Sequence, residues 1–114
     1  MAGRQLRLGL IQMAVKDDKL ENVRKAALLI KQATQNGSSL VVLPECFNSP
    51  YGLKYFPKYA ESIPQGETST ALSAAAKENK VYLIAGSIPE NDNGKLYNTC
   101  TVWDPAGNLV CTHR

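Results

Sequence analysis

Residues 40–52 read LVVLPECFNSPYG, a run of β-formers that stops at Pro44 and then sets Glu45 beside Cys46. Ser39 to Leu43 is almost continuously apolar, the pattern of a strand covered on both faces in a parallel sheet. Pro44 stiffens the approach to Glu45. Two readings of the polar pair are open. In one, the strand has ended and polar residues have reached solvent or cap a helix. In the other, the strand delivers a carboxylate to the carboxyl edge of a sheet, where the ligands of open α/β sheets bind.

Upstream, Leu6, Leu8, Leu10 and Gln12 alternate with Arg7, Gly9 and Ile11, which predicts an opening strand. Asp18 followed by Glu21 has capping-box spacing. Leu20, Val23, Ala26, Ala27, Ile30 and Ala33 then recur at helical spacing, and Gly37 stands where a helix end favours a left-handed residue. Strand, helix and buried strand make a βαβ unit with parallel strands.

Downstream, Gly52 to Gln65 is irregular, with Pro50, Pro57 and Pro64 breaking any long helix. A second helix is predicted from about Thr68 to Asn79, burying Leu72, Ala75 and Ala76. Val81 to Ser87 reads as another buried strand. NDNG makes a turn, Leu96 to Trp103 a strand, DPAG a second turn, and Asn108 to Thr112 a last strand. The fold class is therefore α/β, with crossovers passing into an antiparallel meander. Two helices are too few to cover both faces of such a sheet, so the chain is expected to be the first part of a larger domain.

Composition narrows the function classes. The chain has 114 residues, 44% hydrophobic and 20% charged, which is ordinary for one globular domain. The net charge of +3 is small and its lysines and arginines are scattered, which argues against a nucleic-acid partner. The apolar runs are far shorter than a membrane span, and the amino terminus alternates like a strand instead of forming a signal peptide. Cys46, Cys100 and Cys111 form no C-x-x-C pair, which points to reduced thiols in an intracellular protein and to no metal site.

Three residue types here carry chemistry. Glu45 on a stiff mount is a candidate general base, its pKa open to elevation by burial at the strand end. Cys46 with His113 is a second candidate, as a Cys–His hydrolase. Against it, no Asn or Asp is placed to orient His113, and neighbours near a strand end point opposite ways. Cys46 is expected to be a packed thiol and Cys100 a core residue. Asn48 and Tyr51 either shape a substrate entrance or serve loop geometry within NSPYG. Asn98 either hydrogen-bonds near a pocket or serves strand pairing. Lys19, Lys25 and Lys31 are read as the solvated face of the first helix.

LPECFNSPYG, with LGLIQM before it and YLIAGSIPE…GKLYNTCTVWDPAGNLV after it, resembles the nitrilase superfamily of carbon–nitrogen hydrolases, and most closely its omega-amidase branch. The resemblance covers residues 4–114 as part of one hydrolase domain. It implies an α-β-β-α sandwich, of which this is the N-terminal portion. It also implies a Glu, a Lys and a nucleophilic Cys that passes through a thioester, with no cofactor. Glu45 matches the Glu. Arg114 matches the Arg of an Arg-Lys-x-His-Leu pattern, so the Lys, like the nucleophilic Cys, is expected outside these residues. Cys46 does not match the nucleophile.

The implied reaction releases ammonia from small dicarboxylate monoamides such as 2-oxoglutaramate. The alternative is a truncated, inactive fragment acting at most as a binding piece. The resemblance further implies a homodimer and a cytoplasmic location, with room for a mitochondrial pool. Trp103 and the Tyr55–Phe56 pair are read as packing or subunit contacts. Gln65 is an insertion relative to the family, in a loop where it should cost little.

Overall fold

The computed structural model describes residues 3–114. In chain order the elements are β1 (Leu8–Leu10), α1 (Lys19–Gln35), β2 (Leu40–Val42), α2 (Phe56–Tyr59), α3 (Glu67–Asn79), β3 (Tyr82–Ile84), β4 (Ile88–Asp92), β5 (Lys95–Trp103) and β6 (Leu109–His113). They form a mixed α/β fold around one six-stranded sheet in the order β1-β2-β3-β5-β4, with β6 paired to β5.

The first crossover forms where the helix signals place it. Asp18 caps α1 by accepting the Glu21 N–H at 3.1 Å. At the other end Gly37 has φ +94°, donates to Thr34, and lets Ser38 donate to Ala33, which is the Schellman arrangement. β2 lies parallel to both β1 and β3. Ala26 and Ile30 of α1 and Leu72, Ala75 and Ala76 of α3 pack with Val41, Leu43, Leu83 and Trp103 as the core. Trp103 is thus a packing residue, and its indole N–H donates to Thr101 Oγ1 at 2.8 Å.

Several expectations are corrected. β3 is shorter than Val81–Ser87 because Gly86, at φ +56°, turns the chain. The segment after it forms β4, which the sequence reading had left out. Pro89 is tolerated there because β4 is at the end of the sheet order, where a missing N–H is harmless. Asn93 and Gly94, both at positive φ, then close a two-residue hairpin into β5. The short α2, with Pro57 in its first turn, had also been read as irregular.

Lys19 is no free surface charge: its Nζ lies 3.2 Å from Glu61 and 3.4 Å from Glu67. Leu20 is exposed instead of buried.

The sheet is covered on one face only by the described residues. Side chains alternate across strands, so Val41, Leu83 and Trp103 face the helices. Leu8, Leu10 and Tyr82, on the opposite parity, are 50%, 74% and 52% exposed. Cys100 belongs to that second face and is half-buried, a correction to its core assignment. Gln65 sits in an exposed turn before α3.

Candidate active site

The parallel strands β1, β2 and β3 all point their carboxyl ends the same way, and the chain leaves β2 there. Leu43 continues the pairing by donating to Ile84 at 2.9 Å, and Pro44 and Glu45 follow. Cys46 then adopts φ +50°, a left-handed conformation unusual for a residue with a side chain. That turn separates the two polar neighbours: Glu45 is exposed, whereas Cys46 is 4% exposed.

Two contacts from distant parts of the chain hold this corner. The Cys46 N–H donates to Ser87 Oγ at 3.0 Å. The Asn98 side-chain amide donates to Glu45 Oε1 at 2.9 Å. Beneath them, Gly86 approaches so closely that a Cβ there would meet the Pro44 oxygen at 2.0 Å. The sequence marks Asn98 as a possible partner near a pocket, and the structure realises that alternative; Ser87 and Gly86 carry no such mark. A glycine in the middle of an apolar strand run was the only signal for the close approach.

Glu45 sits where a base is expected, with one oxygen held and the other free of side-chain partners among the described residues. The burial expected for it is not supplied by these residues. A cavity of about 350 Å³ opens between the Cys46 loop and β5, lined by Cys46, Tyr51, Phe56, Tyr97 and Asn98 among others; Glu45 does not line it but is hydrogen-bonded to Asn98, which does. Tyr51 is 73% exposed at its rim and meets Phe56 edge-on at 5.5 Å between ring centroids.

Asn48 faces elsewhere. It is fully buried, and its Nδ2 donates to Glu61 Oε2 at 3.3 Å and to Thr68 Oγ1 at 3.2 Å. Glu61 also accepts the Thr68 N–H at 2.8 Å at the start of α3. Asn48 therefore ties the site loop to α3 and to Glu61, which bridges to β4, and does not line the cavity.

The Cys46 thiol is poorly suited to attack. Burial pushes its pKa up, the Glu45 charge adds to the rise, and the Ser87 hydrogen bond only partly opposes it. His113 is exposed on β6 opposite Cys100, and the Cys46 sulfur instead faces Asn98 Oδ1 at 3.9 Å. The structure gives a Cys46–His113 pair no support.

Arg114 closes the far end of the sheet. Its guanidinium takes Glu90 in a two-pronged grip at 2.9 and 3.1 Å, reaches Asp92 at 2.9 Å, and lies 3.8 Å over the Tyr97 ring.

With this arrangement of carboxylate, strand end and cavity in view, residues 7–114 match the carbon-nitrogen hydrolase family. The chain belongs to that family. It is 58% identical over 110 residues to omega-amidase NIT2 of Xenopus tropicalis, across 96% of this chain and 40% of the relative. To human omega-amidase NIT2 it is 56% identical over 108 residues, across 95% of this chain and 39% of the relative.

Saccharomyces cerevisiae Nit3, of the nitrilase superfamily, superposes with a TM-score of 0.88 at 38% identity, across 96% of this chain and 43% of Nit3. A carbon-nitrogen hydrolase of Helicobacter pylori superposes at 0.83. The chain thus spans about 40% of the length of the curated relatives it matches. No helix among the described residues is long and apolar enough to cross a membrane.

Proposed function

We propose that residues 4–114 supply the general base to an omega-amidase-like hydrolase that releases ammonia from small dicarboxylate monoamides such as 2-oxoglutaramate. One observation carries the proposal. Glu45 is braced at the carboxyl end of β2 by Asn98, which itself lines a cavity, on a chain 58% identical to an omega-amidase.

In this reading Glu45 takes the proton of a cysteine thiol contributed from outside these 114 residues. The thiolate sulfur attacks the amide carbon while a lysine stabilises the oxyanion. When the tetrahedral adduct collapses, the carbon–nitrogen bond breaks, nitrogen takes up the proton held by Glu45, and ammonia leaves. Water then attacks the thioester, giving its proton to Glu45, which returns it to the departing thiol. Carboxylic acid and free enzyme result, with no redox change and no cofactor.

Tyr51 at the cavity rim is the substrate contact we assign. Asn48 acts through the loop it fixes. A homodimeric assembly and a cytoplasmic location, with a mitochondrial pool, belong to the same reading.

Ammonia release by the full-length protein from 2-oxoglutaramate, a nitrile and a ureido acid tests the assignment. Turnover of the amide is expected. Turnover of the nitrile or the ureido acid instead would overturn the branch.

These residues alone are proposed to be inactive, since a base without a thiol has no nucleophile to generate. Leu8, Leu10 and Tyr82 on the uncovered sheet face favour association of the isolated chain. An amidase assay and a sedimentation run on residues 1–114 check both; ammonia above background or a stable monomer contradicts them.

A further inference from the structure

We propose that Asn98 is a positioning residue for Glu45, fixing one carboxylate oxygen so that the other is presented to the proton it must accept. The inference rests on the reading of Glu45 as the base. It adds a residue from a distant part of the sequence.

The geometry is specific. Asn98 is on β5, across from Pro89 of β4, with a sequence separation of 53 residues from Glu45. Its neighbour Thr99 is buried and donates to Glu90 Oε1 at 2.7 Å, which fixes the strand beneath it. The Asn98 side chain makes two contacts, both at the corner that carries the base. Nδ2 donates to Glu45 Oε1 at 2.9 Å, and Oδ1 faces the Cys46 sulfur at 3.9 Å. The first contact sets which way the amide is turned, because an ionised carboxylate accepts from the NH₂ group and has nothing to donate to the amide oxygen.

An exposed glutamate on its own samples several rotamers, which spreads its basic oxygens over space. Here the peptide after Glu45 is pinned through Ser87, and Oε1 is pinned through Asn98, which leaves Oε2 as the free acceptor. The choice of an amide is also chemically apt. A lysine or arginine at position 98 would stabilise the carboxylate too strongly to leave a useful base. An aspartate would add a like charge. A neutral donor orients without adding charge.

Two measurements on the full-length protein test this. The first compares kcat, KM and the pH profile of wild type, Asn98→Ala and Asn98→Asp. Asn98→Ala should lower kcat by about 10–100-fold with KM changed less than about twofold. Asn98→Asp should in addition move the acid limb of the profile to higher pH, because the new carboxylate opposes ionisation of Glu45. Wild-type kcat in Asn98→Ala, or an unmoved acid limb in Asn98→Asp, overturns the proposal.

The second needs neither turnover nor an Asn98 variant. The side-chain amide resonance of Asn98 should titrate together with the Glu45 carboxyl carbon, and should stop doing so in Glu45→Gln. An Asn98 signal indifferent to Glu45 overturns the proposal even if the protein proves not to be an amidase. A coupled titration in an inactive protein would uphold the contact while the amidase reading failed.

Discussion

A Cβ on Gly86 would lie 2.0 Å from the carbonyl oxygen of Pro44, so the β3–β4 corner and the exit from β2 meet through bare backbone. The φ of +56° at Gly86 adds a second reason for glycine, since a side chain there is strained even where space allows.

Gly86→Ala is therefore expected to destabilise the protein by about 2–4 kcal/mol, combining backbone strain with a clash that only a backbone shift can relieve. Denaturant unfolding measures it. A cost below about 0.5 kcal/mol would show that the corner is not tightly apposed.

Arg114 and Glu90 make stability depend on pH. The Arg114 hydrogen bonds hold the Glu90 carboxyl below the ordinary carboxylate range, and Thr99 assists, against the opposing effect of burial. A depressed folded value contributes stability that is present above the unfolded pKa of about 4.3 and is lost as pH falls through the folded value. Arg114→Ala should lower stability at neutral pH, only modestly because the guanidinium is exposed to solvent. The gap from wild type should shrink as pH falls through the depressed folded value of Glu90, because the protonated carboxyl no longer pairs with the guanidinium. Melting curves from pH 3 to 7 check the sign, and a gap that widens in acid would contradict it.

Cys46 is expected to resist alkylation in the native full-length protein at neutral pH and to react once it is unfolded. Its thiol is buried and its pKa is raised by that burial. Mass spectrometry of iodoacetamide-treated protein reads the outcome residue by residue. Rapid native labelling at Cys46, with loss of activity, would revive it as a nucleophile.

Much of the crossover was legible because its signals are local. Asp18 and Glu21 are three residues apart, and Gly37 follows directly on the helix it ends. Glu45 was legible as the residue that leaves a buried strand. What supports it was legible only in part: Asn98 could be read as a partner near a pocket, but not as the partner of Glu45, because both supports come from far along the chain. Ser87 and Asn98 reach the corner from sequence separations of 41 and 53 residues, a distance that periodicity cannot bridge.

β4 was missed for a related reason. Its Pro89 and its charges speak against a strand, and only the edge position and the distant Arg114 make them acceptable. Asn48 shows the converse limit. Its place in a turn-rich loop suggested the cavity, yet burial beside Glu61 and Thr68 had no signature in the local sequence.

The central claim is that Glu45 is the base, and Glu45→Gln in the full-length protein tests it most directly. Glutamine is nearly isosteric and can still meet the Asn98 amide through its oxygen, so the fold and melting temperature should be retained. It cannot accept the proton, and loss of a general base typically lowers the rate by about 10²–10⁴-fold. Steady-state ammonia release from 2-oxoglutaramate is predicted to fall by that factor, with KM little changed. Wild-type turnover by Glu45→Gln, with the same pH profile, would contradict the account.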